Sequence, residues 1–169
     1  MKDFSKKAQL GKKIPTKKLI KQIDKACSDA ILSIDGNHPW DNPPCKGFIC
    51  NNHLIRRGLF KVRFHPLNCF AGTSGSNFRH ENDPQYMTAW YMNKFSKKIY
   101  LELQKYSVGE AKWSRDELEQ LLYFWETVSG LSPAPDRKYV TAMYMNKFRS
   151  IEQVELINAF NEWNQKKKQ

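Results

Sequence analysis

One short segment interrupts an otherwise helical chain, and it limits the fold more than any other part of the sequence. Residues 36–51, GNHPWDNPPCKGFICN, carry three prolines and two glycines. Proline fixes φ and has no amide hydrogen to donate, so no regular helix or sheet can run through this stretch. Its end, GFIC, reads as a short strand. The following LFKVRF (59–64) alternates apolar with basic residues, the period of a half-buried strand whose outer face is cationic. Arg56, Arg57 and Gly58 then fall at or near a hairpin turn, and Pro66-Leu67-Asn68 leads into a small-residue loop, AGTSGS.

Helical periodicity brackets this segment. From Thr16, Leu19, Ile20, Ile23, Ala26, Cys27, Ala30 and Ile31 recur at steps of three and four, with Thr16 placed to cap and Asp35-Gly36 placed to stop the helix. Asp83-Pro84 marks the start of another helix through Tyr86, Trp90, Met92 and Phe95, and LELQKY continues or follows it. Whether a shorter helix begins near Ser76 is open. Ser114 lies three residues before Glu117, a capping-box spacing, and Gly130 closes that helix. After SPAPD, YVTAMYMNKFRSIEQVELINAFNEWNQ predicts one last amphipathic helix. The segment YMTAWYMNKF at 86–95 recurs as YVTAMYMNKF at 139–148, which points to a local duplication that reuses one helical packing face.

Charge narrows the partners. Twenty-eight Lys and Arg against seventeen Asp and Glu leave a net charge of +11, which favours a polyanion, with DNA or RNA foremost. Nine lysines and only two acids fall within residues 1–25, so the N-terminus is expected to be a flexible basic arm whose Lys12, Lys13, Lys17 and Lys18 attract phosphates. No apolar run approaches a membrane span and no secretory leader is visible, so the expectation is a cytoplasmic protein. Cys27, Cys45, Cys50 and Cys69 are unevenly spaced, without a C-x-x-C, and are expected to be free thiols. A metal held by Cys45, Cys50 and Cys69 with His65 is the rival reading.

The chemistry concentrates between 52 and 80, NHLIRRGLFKVRFHPLNCFAGTSGSNFRH. A minimal hydrolytic nuclease needs one imidazole as general base and one divalent cation on the scissile phosphate, and a hairpin followed by a helix can supply both. His53, Asn68 and Asn77 come in that order, fifteen and nine residues apart. This order resembles the HNH (ββα-metal) nucleases. More narrowly, NHLIRRG, RFHPLNC and SNFRHEND followed by Tyr86 resemble the NinG (Rap) recombination nucleases of lambdoid phages. The resemblance covers roughly residues 16–128.

The resemblance implies an α+β fold with a ββα-metal core, a leading helix and a helical C-terminal half. It divides the chain into a basic arm (1–15), a nuclease domain (16–128) and a helical extension (129–169). It makes His53 the base, Asn68 the residue that orients it, and Asn77 the metal ligand, with Asn52 beside the base, in a site for Mg²⁺ or Mn²⁺ that His80, Glu81 or Asp83 could complete if a helix begins near Ser76. Arg56, Arg57, Lys61 and Arg63 would contact phosphates without reading sequence. One feature departs from the family: Thr73-Ser74-Gly75-Ser76 stands where the second cysteine pair would be, so a four-thiolate structural zinc is not expected. The function implied is metal-dependent cleavage of branched or single-stranded DNA. The alternative is a scaffold that has lost catalysis and binds DNA or a protein, with partners or self-association through the C-terminal helices.

Overall fold

A computed structural model describes residues 16–36, 38–41, 44–109, 111 and 113–166. The expected basic arm, including Lys12 and Lys13, lies outside the described residues. The chain is an α+β protein of seven α-helices and one antiparallel pair of strands among those residues. Helix α1 (Thr16–Asp35) leads, and Gly36, at φ +61°, takes the left-handed conformation that ends it without strain. Strands β1 (Ile49–His53) and β2 (Cys69–Thr73) pair in a register that sets His53 opposite Cys69 and Ile49 opposite Thr73. Then follow α2 (Ser74–Asn82), α3 (Pro84–Lys94), α4 (Lys97–Ser107), α5 (Arg115–Ser129), α6 (Arg137–Lys147) and α7 (Val154–Lys166). No helix among the described residues is long and apolar enough to cross a membrane.

The second strand is not where its alternation predicts it. Residues 59–64 form successive tight turns, with Val62 N donating to Leu59 O, Arg63 N to Phe60 O and His65 N to Val62 O. The strand is CFAGT instead, whose last three residues fall in the expected AGTSGS loop. Its residues are all buried, and successive side chains enter different cores: Cys69 joins the cluster of α1 and α5, while Phe70 joins that of α3, α4 and α7. A strand covered on both faces shows no alternation of apolar and polar residues, which is why its sequence does not announce it.

In the first core, Leu19, Ile23, Ala30 and Ile31 of α1 pack along Leu121, Phe124 and Trp125 of α5. In the second, Trp40 and Phe70 meet Met87, Tyr91, Ile99 and Leu103. Residues beyond 129 belong to both: Val140 and Tyr144 of α6 enter the first, while Met145, Leu156 and Phe160 enter the second. The single last helix expected from the sequence is two helices, separated at Phe148-Ser150 by a 3₁₀ turn over Ile151–Gln153. The repeated segment ends both times at its Phe, with Phe95 capping α3 and Phe148 capping α6, and buries equivalent tyrosines, Tyr91 and Tyr144.

One ion pair binds the layers together. Arg137 donates to both carboxylate oxygens of Asp35 at 2.6–3.1 Å, and its other terminal nitrogen reaches Pro66 O and Cys69 O at 2.6 and 2.8 Å. Its guanidinium lies over the Phe70 ring. Where the resemblance would place the second cysteine pair, the 45–48 loop is stitched to α2 by hydrogen bonds. Gly75 N donates to Lys46 O, Ser74 N to Phe48 O, and Ser76 Oγ to Asp41, whose carboxylate also accepts from Cys45 N. A Cβ on Gly75 would collide with the Lys46 carbonyl, so a side chain there would open this joint. Cys45 and Cys50 are half-buried, Cys27 and Cys69 fully buried, and all four are free thiols.

Candidate active site

His53 ends β1, half-buried, and its Nε2–H donates to the Arg63 carbonyl at 3.1 Å. A carbonyl only accepts, so Nε2 carries the hydrogen and Nδ1 is the nitrogen left for a proton in the neutral ring. Burial disfavours the charged ring, but the neighbouring Cys69 and the Arg63 carbonyl outweigh it and hold its pKa above the ordinary histidine value. Burial likewise disfavours a Cys69 thiolate, yet Cys27 and His53 pull that thiol below its usual value. Burial pushes the Cys27 thiol up.

Asn68 braces the turns that lead to the Arg63 carbonyl. Fully buried, it accepts from Ile55 N at 2.7 Å and donates to Ile55 O and Val62 O, both at 3.0 Å. Those three bonds satisfy backbone groups that a regular ladder would otherwise engage, and they fold residues 55–62 into turns that present Arg63 O. Buried and bonded within the fold, Asn68 does not line the cleft beside His53.

A cleft of about 760 Å³ opens beside His53. His53, Arg56 and Arg57 line it from β1 and the following turn, Asn77, His80 and Glu81 from α2, and Tyr100 and Gln104 from α4. Thr73 caps α2 through its hydroxyl, and the helix geometry brings Asn77 and Glu81 to one face, where Asn77 Nδ2 donates to Glu81 at 3.0 Å. The Asn77 amide therefore offers its carbonyl oxygen. His80 Nε2–H donates to Leu54 O at 2.9 Å, which leaves Nδ1 as a buried lone pair with no hydrogen-bond partner.

The structure brings together His53, Asn77, His80, Arg56 and Arg57, and separates the remaining expected residues. Asn52 is turned away: 1 % exposed, its Nδ2 donates to Thr73 O, its Oδ1 accepts from the Cys50 thiol, and it does not line the cleft. Asn51 takes that place. It lines the cleft, and its Oδ1 is buried without a partner. Alternation along a strand could have found it, since residues 51 and 53 share a face and 52 does not. Arg63 is spent on a two-pronged pair with Asp24 of α1 at 2.6 and 2.9 Å. Lys61 donates to Val108 O and pairs with Glu152 at a different cleft. Lys17 and Lys18 are exposed on the first turn of α1 and do not line this cleft. His65, the partner imagined for a thiolate metal site, is buried against Tyr144 and Tyr106.

The side chains that line the cleft carry oxygen and nitrogen donors. Among the described residues no three His, Cys, Asp or Glu side chains are placed to hold a metal, so the set rests on amide oxygens of Asn51 and Asn77, the His80 imidazole and the Glu81 carboxylate. Mg²⁺ keeps to oxygen and water, whereas Mn²⁺, a transition ion, accepts an imidazole nitrogen more readily.

What these elements define is an α+β protein with a strand-borne imidazole, a helix-borne amide and two arginines around one cleft. No known family model matches the chain, and no curated protein or solved structure is significantly similar to it.

Proposed function

We propose that the protein is a metal-dependent DNA endonuclease of HNH type, working on phage or prophage DNA during recombination or processing. The observation that carries this reading is the convergence of His53 from β1 and Asn77 from α2 on one cleft whose mouth carries Arg56 and Arg57. In this reading His53 Nδ1 takes the proton of the attacking water, and the Arg63 carbonyl keeps the ring turned toward it. Arg56 and Arg57, both exposed, bind the DNA backbone without base preference. Asn77, Asn51, His80 and Glu81 would hold Mg²⁺ or Mn²⁺, which supplies positive charge to the scissile phosphate and the leaving oxygen.

The test is nicking of plasmid and branched DNA by the wild type and His53→Ala in Mg²⁺, Mn²⁺ and EDTA. Wild type should cut only with metal, and the variant should lose roughly 100- to 10,000-fold. One observation favours a second reading, a DNA-binding scaffold without catalysis: the donors nearest the base are amides, with no carboxylate on β1. Equal nicking by wild type and His53→Ala, with DNA binding retained, would select it.

A further inference from the structure

A second cleft, of about 560 Å³, is lined by the connection of α4 to α5 and the connection of α6 to α7, and it shares no lining residue with the one beside His53. Trp113 and Phe148 meet edge to face there, their ring centroids 6.1 Å apart. The fold fixes both rings. Trp113 Nε1–H donates to Phe60 O at 3.4 Å, and Phe148 packs on Phe124 and Tyr144 of the first core. Each stays only half-buried, so ring surface remains open on the cleft.

Three cations against two acids leave this cleft positive, and the acids are already used. Glu117 accepts from Ser114 N at 2.7 Å in the capping box. Glu152 pairs with Lys61, whose ammonium also donates to Val108 O and lies over the Tyr106 ring. Lys147 and Arg149, on either side of Phe148 in sequence, are exposed. Lys147 has the Tyr123 ring as its neighbour at 5.9 Å, and Arg149 takes part in no ion pair among the described residues.

A cleft of this size, with fixed aromatic walls and a few polar groups, has the form of a small-molecule site. Open ring surface takes a flat aromatic group, and a guanidinium beside an ammonium takes an anion, phosphate above all because the guanidinium forks to two of its oxygens. A nucleotide carries both groups. We propose that this second cleft binds a nucleoside monophosphate unit, its base against Trp113 and Phe148 and its phosphate on Lys147 and Arg149. The same chemistry is offered by a free mononucleotide and by the phosphorylated end of a strand. The site stands whether or not the cleft beside His53 cuts DNA.

Isothermal titration of the full chain, in EDTA at low salt, compares deoxyadenosine 5′-monophosphate with deoxyadenosine and with inorganic phosphate. The monophosphate should bind roughly tenfold tighter than either part, because stacking and the ionic contact are then made together. Arg149→Ala and Lys147→Ala, both at exposed positions, should each weaken it about tenfold with unchanged thermal melting, while Arg149→Lys keeps part of the affinity. The Trp113 indole signals should shift in NMR spectra while the His53 ring signals stay still. An oligonucleotide with a 5′-phosphate that binds tighter than the free monophosphate, and loses that gain in Arg149→Ala, names the strand end as the source; weaker binding names the free nucleotide. No binding at millimolar monophosphate overturns the site, as does inorganic phosphate binding as tightly as the monophosphate, or wild-type affinity in both alanine variants. So does a shift of the His53 ring with the Trp113 signals unmoved, which would put the nucleotide in the first cleft.

Discussion

His53 and Cys69 face one another across the β1–β2 ladder, and both side chains reach the same carbonyl, Arg63 O, at 3.1 and 3.4 Å. A thiol in that position raises the imidazole pKa against the effect of burial. A protonated ring cannot accept a proton, so on the proposed reading the rate should climb as pH passes the raised value. Cys69→Ala leaves burial to dominate and should move the His53 titration, followed by its ring NMR signals, to lower pH, with the acid limb of the rate profile moving the same way. An unmoved titration would show that the thiol does not act on the base.

Asn68→Ala should destabilise the fold by about 2–4 kcal/mol, because it removes three buried hydrogen bonds and strands the amide and carbonyl of Ile55. Urea denaturation measures this. The same variant should release the Arg63 carbonyl and broaden the His53 ring signals.

Asn51 and Asn52 should separate in a metal titration. Asn51→Ala should weaken Mn²⁺ binding, read by electron paramagnetic resonance, with little loss of stability, since its Oδ1 has no partner to lose. Asn52→Ala should leave Mn²⁺ binding alone and cost about 1–2 kcal/mol, because its amide bonds to Thr73 O inside the fold. The reverse pattern would return the ligand role to Asn52.

His65 should make the protein acid-sensitive. Its ring is fully buried, its Nδ1 accepts from Leu67 N, and its Nε2 has no partner, so burial lowers its pKa to about 3. The unfolded chain takes up this proton near the ordinary value, about 6.5, while the folded one refuses it. Stability is therefore complete above pH 6.5 and falls steadily toward pH 3, by on the order of 4 kcal/mol. His65→Gln or Phe should flatten that slope in melting experiments run across the range.

Arg137→Ala should cost about 3–5 kcal/mol, since it leaves the Asp35 carboxylate buried without its cation and frees the carbonyls of Pro66 and Cys69. Arg137→Lys should recover only part of this, because an ammonium cannot fork to the carboxylate and two carbonyls together.

The sequence by itself determined where several of the helices lie. α1 ends at Asp35-Gly36, α3 begins after Asp83 at Pro84, and α5 carries the Ser114–Glu117 capping box and ends at Gly130, because caps, prolines and three-to-four periodicity are local signals that tertiary packing here reinforces. It also pointed to the order of His53, Asn68 and Asn77, and His53 and Asn77 do share a cleft.

The tertiary structure decided the rest. LFKVRF alternates like a strand, yet the Asn68 side chain takes up the backbone groups of Ile55 before it and the Val62 carbonyl within it, and the segment folds into turns. CFAGT shows no alternation, yet becomes a strand because two cores cover its two faces. Arg63 and Lys61, cations in the sequence, are consumed by Asp24 and Glu152 from distant elements. Which charges remain open to a ligand depends on what the rest of the chain brings alongside them, and no local pattern records that.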